Sequence, residues 1–349
     1  MAGISIAPFE PPIFDPQDGA GLCAFLADYG YVVVQALSPE EVLEAEEVFW
    51  EEAGLVGWDR QAPQSWTAKE KFETMAGRSD CGHIKGWDHS AFQWHLRKLP
   101  GVRLAYASVC ARLSEAMGPD DRLLASFNSI NVFRPHGLNP AWQTTSTPWF
   151  HIDNPKPDPG KPLTQQRVVF PGVVNLMDVS ADTGGFCCIP RSHLLFGALD
   201  RDAGDYLDVT QFTNFVDSEA NQQTGNSSYT QPVLICTGGR RGTLLIWDPR
   251  LVHCSTSSLT PAEANQRAKA PDLLRLAAWV SMCPRTWASQ ADLEARHDLV
   301  KGRMCISSHV PYAVTTQRRI ESMVFYDDLW ADDMAMEMIG MPGEDEEVT

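Results

Sequence analysis

From residue 123 onward the chain breaks into short apolar runs closed off by turn-forming residues. The runs 123–133, 167–177, 186–189, 233–236, 243–247 and 274–283 read as strands, several of them separated by Gly, Pro, Asp or Asn. Strands spread this widely must pair non-locally. That pattern predicts a sandwich or jelly roll and argues against a doubly wound sheet. The preceding third is different. Tyr31-Val32-Val33-Val34 reads as one strand, and Ser38-Pro39-Glu40-Glu41 opens a helix with an N-cap, a proline at the first helical position and a capping box. Val42, Ala45 and Phe49 share one face of that helix, and Gly54 ends it. A second amphipathic helix is predicted over 103–117 and a capped surface helix over 289–301. The expected architecture is mainly β with flanking helices.

Composition narrows the partners. The chain has 349 residues, 44% of them hydrophobic, with 11 Trp, so it can bury a sizeable core and is not globally disordered. Its 28 basic and 45 acidic side chains leave a formal charge of −17, which argues against nucleic acid as a principal partner. Nine cysteines, an odd count with no CxxC spacing, predict reduced and mostly buried thiols. No signal peptide and no membrane-spanning run is visible, so a cytoplasmic location is expected. The stretch 200–231 is polar with six acidic residues and reads as a long surface loop, expected to cover the mouth of the site or to be a plain insertion.

His151-Ile152-Asp153 puts an imidazole and a carboxylate two residues apart, on the same side of a strand. Alone, this pattern is common and carries little. It gains weight from His253, which follows an apolar strand and the turn Asp248-Pro249. Two imidazoles and one carboxylate on one face of an octahedral ion leave three positions open, the facial triad of non-haem Fe(II) and O₂ chemistry. Arg275 stands in the otherwise apolar run Leu274-Arg275-Leu276-Ala277-Ala278-Trp279-Val280. A buried arginine needs an anion, either a protein carboxylate or a bound dicarboxylate. The other histidines carry blander readings. His83, His89 and His95 read as loop or surface residues, and His193 as a turn stabiliser. Strand parity lets Asn131 and Asn175 face a co-substrate or serve as satisfied core amides. Trp149, Trp247 and Trp279 read as site walls or packing residues.

In order along the chain, GYVVVQALSPEEV, WFHIDNP, GGFCCIPRSHL, GTLLIWDPRLVHCS and RLAAWVSM resemble the phytanoyl-CoA dioxygenase family of Fe(II)/2-oxoglutarate oxygenases. The resemblance implies a double-stranded β-helix, a jelly-roll or cupin-like barrel. It implies iron on His151, Asp153 and His253, and the far carboxylate of 2-oxoglutarate on Arg275 with Ser255 beside it. Asn131 is a further candidate for the co-substrate. Arg275 lies 22 residues beyond His253, farther than is usual in the family, and Arg267 in the intervening polar loop competes by spacing. Asp153 fills the place a halide takes in related halogenases, which disfavours halogenation.

The expectation is therefore one oxygenase domain over 1–340: helix-rich to about 120, a β-barrel core over 121–285, a helical part over 286–340, then an acidic tail. It would use Fe(II), 2-oxoglutarate and O₂, with ascorbate as reductant, to hydroxylate a small organic metabolite with release of succinate and CO₂. Two rivals remain at this point: a cupin-like metal enzyme that does not use 2-oxoglutarate, and a non-catalytic ligand- or partner-binding barrel. Neither Arg240-Arg241 nor Arg318-Arg319, the paired basic sites, identifies a substrate, and Ser307-Ser308-His309 has no sequence-based role.

Overall fold

The computed structural model describes residues 5–67, 82–114, 122–144, 149–153, 157–198, 231–305, 309–314, 320–321 and 324–341. Most of the 200–231 stretch, Arg318-Arg319, Ser307-Ser308 and nearly all of the acidic tail lie outside these residues.

Along the chain run β1 (Ala7–Phe9), β2 (Ile13–Phe14), α1 (Gly19–Tyr29), β3 (Tyr31–Gln35), α2 (Pro39–Leu55), β4 (His83–Ile84), α3 (Ala91–Lys98), α4 (Pro100–Leu113), β5 (Leu123–Ala125) and β6 (Ile130–Phe133). There follow β7 (Pro171–Asn175), β8 (Gly185–Cys188), β9 (Val233–Ile235), β10 (Thr243–Trp247), β11 (His253–Thr256), β12 (Arg275–Pro284), α5 (Gln290–Lys301) and α6 (Asp333–Ile339). The larger sheet has the order β2-β3-β10-β7-β12-β6-β4, with β5 also on β12; the smaller has the order β1-β9-β8-β11. The predicted mixture of β core and flanking helices is present. Among the described residues the two sheets stay separate, and no closed barrel forms.

The predicted start of α2 has a physical counterpart, whereas Gly54, expected to end the helix, lies inside it: α2 runs on to Leu55 and is capped at Val56. Ser38 accepts a hydrogen bond from the Glu41 amide and Glu41 accepts one back from the Ser38 amide, so the capping box starts α2. Proline at the first position of α4 forgoes no helical bond there. Gly30 ends α1 at φ +82°, and an added Cβ would strike the His193 ring, so only glycine fits. The run 123–133 forms two strands, β5 and β6, instead of one. Helices α1 and α3 were not foreseen. The described cysteines, Cys23, Cys110, Cys187, Cys188, Cys236, Cys254 and Cys283, are all free and buried, as predicted. No helix among the described residues is long and apolar enough to cross a membrane.

Two apolar layers result. One lies between the large sheet and the helices, joining Leu22 and Leu26 of α1, Phe49 of α2, Tyr106 of α4, Leu244 and Ile246 of β10, and Leu276, Ala278 and Val280 of β12. The second lies between the two sheets and joins Tyr31, Val33, Val173, Leu245, Trp247 and Ala277 from the large sheet to Phe186, Cys188 and Ile235 from the small one. The candidate site belongs to this second layer.

Candidate active site

Backbone pairing brings the histidines together. The His151 amide donates to the His253 carbonyl at 2.9 Å, and the His253 amide returns a bond to His151 at 3.0 Å. His151 thus extends the small sheet beyond β11 as an isolated antiparallel bridge. The Asp153 amide donates to the carbonyl of Pro249, in the turn that leads into β11, at 2.9 Å. Residues 102 positions apart are locked in register by these three bonds, so the side chains at 151, 153 and 253 converge without long-range tuning. His151 Nε2 is 3.8 Å from Asp153 Oδ1, and His253 Nε2 is 3.5 Å from Asp153 Oδ2. One potential ligand atom from each of the three lies within 4.8 Å of the others.

The ring nitrogens are sorted by their partners. His151 Nδ1 faces the Trp149 carbonyl at 3.1 Å and His253 Nδ1 faces the Leu251 carbonyl at 2.9 Å. A carbonyl only accepts, so each Nδ1 carries a proton, and Nε2 is the ring atom each histidine turns toward Asp153. Burial, then the nearby His253 ring, lowers the His151 pKa to about 3, which keeps the imidazole neutral. At Asp153 burial pushes the pKa upward. The His253, His309 and His151 rings and a hydrogen bond from Trp247 outweigh it, and the carboxyl is held below its usual range. Trp247 Nε1 donates to Asp153 Oδ2 at 2.7 Å. Trp149 stacks on His151 at 4.3 Å, and Phe186 on His253 at 5.3 Å. The aromatic rings exclude water and fix both imidazole planes. Two imidazole nitrogens and a carboxylate oxygen form a donor set that suits a divalent first-row metal.

Arg275 opens β12 and is 3% exposed, with its guanidinium 5.3 Å from the ring of its cross-strand neighbour Phe133. Arg267 is placed elsewhere: its Nη1 pairs with Asp178 at 2.6 Å, and a third of its side chain is exposed. The polar loop between β11 and β12 is pinned by Asn265, whose amide donates to Asp182 and Ser258. That detour accounts for the 22 residues between His253 and Arg275. Ser255 sits two residues beyond His253 on the same side of β11, opposite Phe186. Asn131 is buried on β6 and pairs directly with Ala277 of β12.

Residues 26–265, more than half of the chain, match the family model described as phytanoyl-CoA dioxygenase (PhyH). The chain belongs to the phytanoyl-CoA dioxygenase family. Members of this family are non-haem iron and 2-oxoglutarate-dependent enzymes, and the chain is an oxidoreductase of that kind. No curated protein matches the chain by sequence search. Among solved structures it is similar to GlcNAc Inducible Gene 2 (DUF1479) from Candida albicans, at 11% identity over 97% of this chain and 80% of that chain, with a TM-score of 0.55. It is also similar to SnoN, a non-heme alpha ketoglutarate dependent epimerase from nogalamycin biosynthesis, at 19% identity over 77% and 84% of the two chains, with a TM-score of 0.47. A third, SnoK, a carbocyclase from the same biosynthesis, has 15% identity over 78% and 87%, with a TM-score of 0.46.

The structure also places residues at the site that sequence reasoning missed. A cavity of about 230 Å³ is lined by Asp153, His309, Arg167, Gln166, Tyr312 and neighbouring apolar side chains. His309 Nδ1 lies 3.0 Å from the Asn128 side-chain amide nitrogen. An amide nitrogen only donates, so Nδ1 accepts and the His309 proton sits on Nε2. No local pattern announces His309, because its segment meets the site only through the tertiary fold. The surface reading of His83 and His89 is overturned. Both are buried: His83 lies in β4, the last strand of the large sheet, and stands edge-on to Trp279 at 4.4 Å, and His89 hydrogen-bonds the Met304 carbonyl at 2.9 Å. His95 lies half-buried in the last turn of α3. His193 ties its segment to α1 by bonding the Ala27 carbonyl at 3.0 Å, a tertiary contact instead of the expected role in its own turn. Arg241 pairs with Glu46 and lines, with Arg240, a separate surface groove at the start of α2.

Proposed function

We propose that the protein is an Fe(II)- and 2-oxoglutarate-dependent dioxygenase on a double-stranded β-helix, hydroxylating a small organic metabolite with release of succinate and CO₂. One observation carries this reading: one potential ligand atom from each of two histidines and an aspartate converge in an aromatic-walled pocket within a family of such enzymes. His151, Asp153 and His253 would hold the iron. The bound metal supplies the one-electron and O₂ chemistry that no side chain can provide.

The chain's own residues do the rest. The Trp149 and Leu251 carbonyls hold the two imidazoles in the ligating tautomer. Trp247 fixes the Asp153 carboxylate through Oδ2, leaving Oδ1 without that constraint. Arg275, with Ser255 and Asn131, would anchor 2-oxoglutarate, the guanidinium gripping its far carboxylate in a two-pronged hydrogen bond. The 230 Å³ cavity that ends on Asp153 is sized for a small molecule, and His309 offers it a hydrogen-bond donor. Ascorbate would keep the iron reduced between turnovers.

Oxygen-free protein loaded with Fe(II) should develop a visible absorption band on adding 2-oxoglutarate. Asp153→Gly should abolish hydroxylation by removing one of the three ligands, at best opening a chloride site, and chlorination by the unmodified protein would overturn the role given to Asp153. Iron binding with no 2-oxoglutarate band would favour the cupin-like alternative. No iron binding at all would leave only a ligand-binding barrel.

A further inference from the structure

The cavity that ends on Asp153 takes its walls from three parts of the chain. Asp153 and Pro249 come from the metal site and the turn before β11, Arg167, Val168 and Val169 from the approach to β7, and His309, Val310 and Tyr312 from the C-terminal part. That last group lies beyond the stretch matched by the family model. It is clamped by Arg296 of α5, which is 1% exposed. Arg296 Nη1 donates to the Pro311 carbonyl at 2.7 Å, while Nε reaches the Ile339 carbonyl at 2.8 Å and Nη2 the Ala125 carbonyl at 2.8 Å. The segment is thereby tied to β5 and to the end of α6. The Asn128 carbonyl accepts from the buried side chains of Gln93 and Arg97, at 2.9 and 3.1 Å, and the Asn128 side-chain amide holds His309 Nδ1. This leaves the Nε2–H edge of the ring for the cavity. His309 is a fixed donor, and its ring stands 6.4 Å from Trp247, the residue that bonds Asp153.

The charges on the lining are few. Asp153 is buried and Arg167 is exposed, so the cavity runs from the metal site out to solvent with Arg167 at its rim. Arg167 Nη1 donates to the Trp287 carbonyl at 2.9 Å, which fixes where that charge stands. Among the described lining residues Arg167 is the only cation and Asp153 the only acid. The Gln166 amide is spent within its own loop, on the carbonyls of Asp158 and Lys161 at 2.9 and 2.8 Å. Val168, Val169, Val310 and three prolines make the remaining wall apolar. The Asp153 carboxylate belongs to the metal site. A ligand in the cavity therefore meets a positive rim, an aliphatic wall and one N–H donor at the metal end. A chain of net charge −17 repels anions over most of its surface, so a cation at this rim singles the cavity out.

We propose that the cavity selects a short aliphatic carboxylate: its carboxylate meets Arg167 at the rim, its carbon chain lies along the valines and prolines, and an oxygen acceptor on that chain is gripped by His309. This rests on the oxygenase reading above and adds the class of substrate. The cavity, at about 230 Å³, is smaller than the roughly 300–1,000 Å³ of pockets that take drug-sized ligands, which keeps the acid short. A carboxylate on a guanidinium is a charge-assisted contact, stronger than the neutral bond an amide would make in its place. Arg167 therefore sets the preference for acids, and His309 sets which carbon of the chain faces the metal site.

Oxygen-free protein loaded with Fe(II) and saturated with 2-oxoglutarate is titrated by calorimetry with straight-chain carboxylates of about five to nine carbons, their primary amides and their 4-oxo derivatives, lengths chosen to suit the cavity. The best carboxylate should bind roughly tenfold tighter than its amide, and the margin should shrink at high salt. Arg167→Gln should erase that margin, whereas Arg167→Lys, which keeps the charge, should retain most of it. His309→Phe should keep the margin but lose an advantage of about fivefold that the 4-oxo acid has over the plain acid. Melting temperature and iron content check that each variant is folded. Equal binding of acids and amides, no binding of either, or a margin that survives in Arg167→Gln overturns the proposal while the oxygenase reading stands. Failure of the unmodified protein to form the visible band with 2-oxoglutarate overturns both.

Discussion

The two faces of β12 are built from alternate residues of one strand, yet they serve opposite ends. Leu276, Ala278, Val280 and Met282 turn toward the helices and join the large apolar layer. Arg275, Ala277 and Trp279 turn inward, beside Asn131 and Asn175. The outward face is apolar throughout and close-packed, so its contribution is stability. The inward face mixes a charge, a small residue and an indole. Such a face is a poor way to fill a core and a good way to hold a polar ligand. The same division runs through β10, where Leu244 and Ile246 face the helices and Thr243 and Trp247 face the site.

Acid should blur this division most strongly. Burial lowers the pKa of His83 and of His89 from 6.5 to about 3. In the unfolded chain both titrate near 6.5. Between about pH 6.5 and 3 the unfolded chain therefore binds more protons than the folded one, and stability falls as pH falls through that window. Above it, the contribution of these neutral rings is fully present. Chemical denaturation of the metal-free protein at pH 7, 5.5 and 4.5 should show this steep decline, and His89→Phe should flatten it. An unchanged slope in that variant would remove His89 from the account.

The next test separates the faces by packing. Leu276 is fully buried among the helices, so Leu276→Ala should cost about 2–5 kcal/mol of stability through lost burial and the cavity left behind. Its effect on the KM for 2-oxoglutarate should be small, because its side chain is on the far face. A large KM shift at unchanged stability would contradict the assignment of faces.

What could be read from the sequence follows the same line. Alternation along strands, the Ser38 capping box and the His151-Ile152-Asp153 spacing are local patterns, and local patterns survive in sequence. The pairing of His151 with His253 was readable only because each lies at a strand end with a distinctive neighbourhood. Register was not readable. Nothing in the separate runs indicates that Thr243, Asn175, Ala277 and Asn131 share one row, since strand order is a property of the assembled sheet. The segments carrying His83 and His309 were opaque for the same reason. His83 is buried beside Trp279 and His309 lines the cavity at Asp153, and neither segment has a periodic pattern of its own.

A charge test on the inward face follows. Arg275→Lys keeps the positive charge but loses the planar fork that matches a carboxylate. The KM for 2-oxoglutarate should rise roughly ten- to a hundredfold, corresponding to a lost charge-assisted contact of about 1.5–3 kcal/mol. Iron content should not change, because Arg275 is not among the three side chains that converge at the metal site. An unaltered KM would remove Arg275 as the anchor.

The smallest effect belongs to the other arginine, and it makes the comparison decisive. Arg267 and Arg275 are eight residues apart, and by spacing from His253 either could meet the co-substrate. The fold sends them to different places. Arg267 spends its guanidinium on Asp178 at a partly exposed site, whereas Arg275 is buried on the strand that lines the inter-sheet layer. A partly exposed ion pair contributes about 0–1 kcal/mol, and lysine retains much of it. Arg267→Lys should therefore lower stability by less than about 1 kcal/mol and leave the KM for 2-oxoglutarate where it was. Measured beside Arg275→Lys under one set of conditions, the pair gives a large shift against none. A shift in Arg267→Lys alone would mean that the loop before β12, and not the strand, carries the co-substrate's anchor.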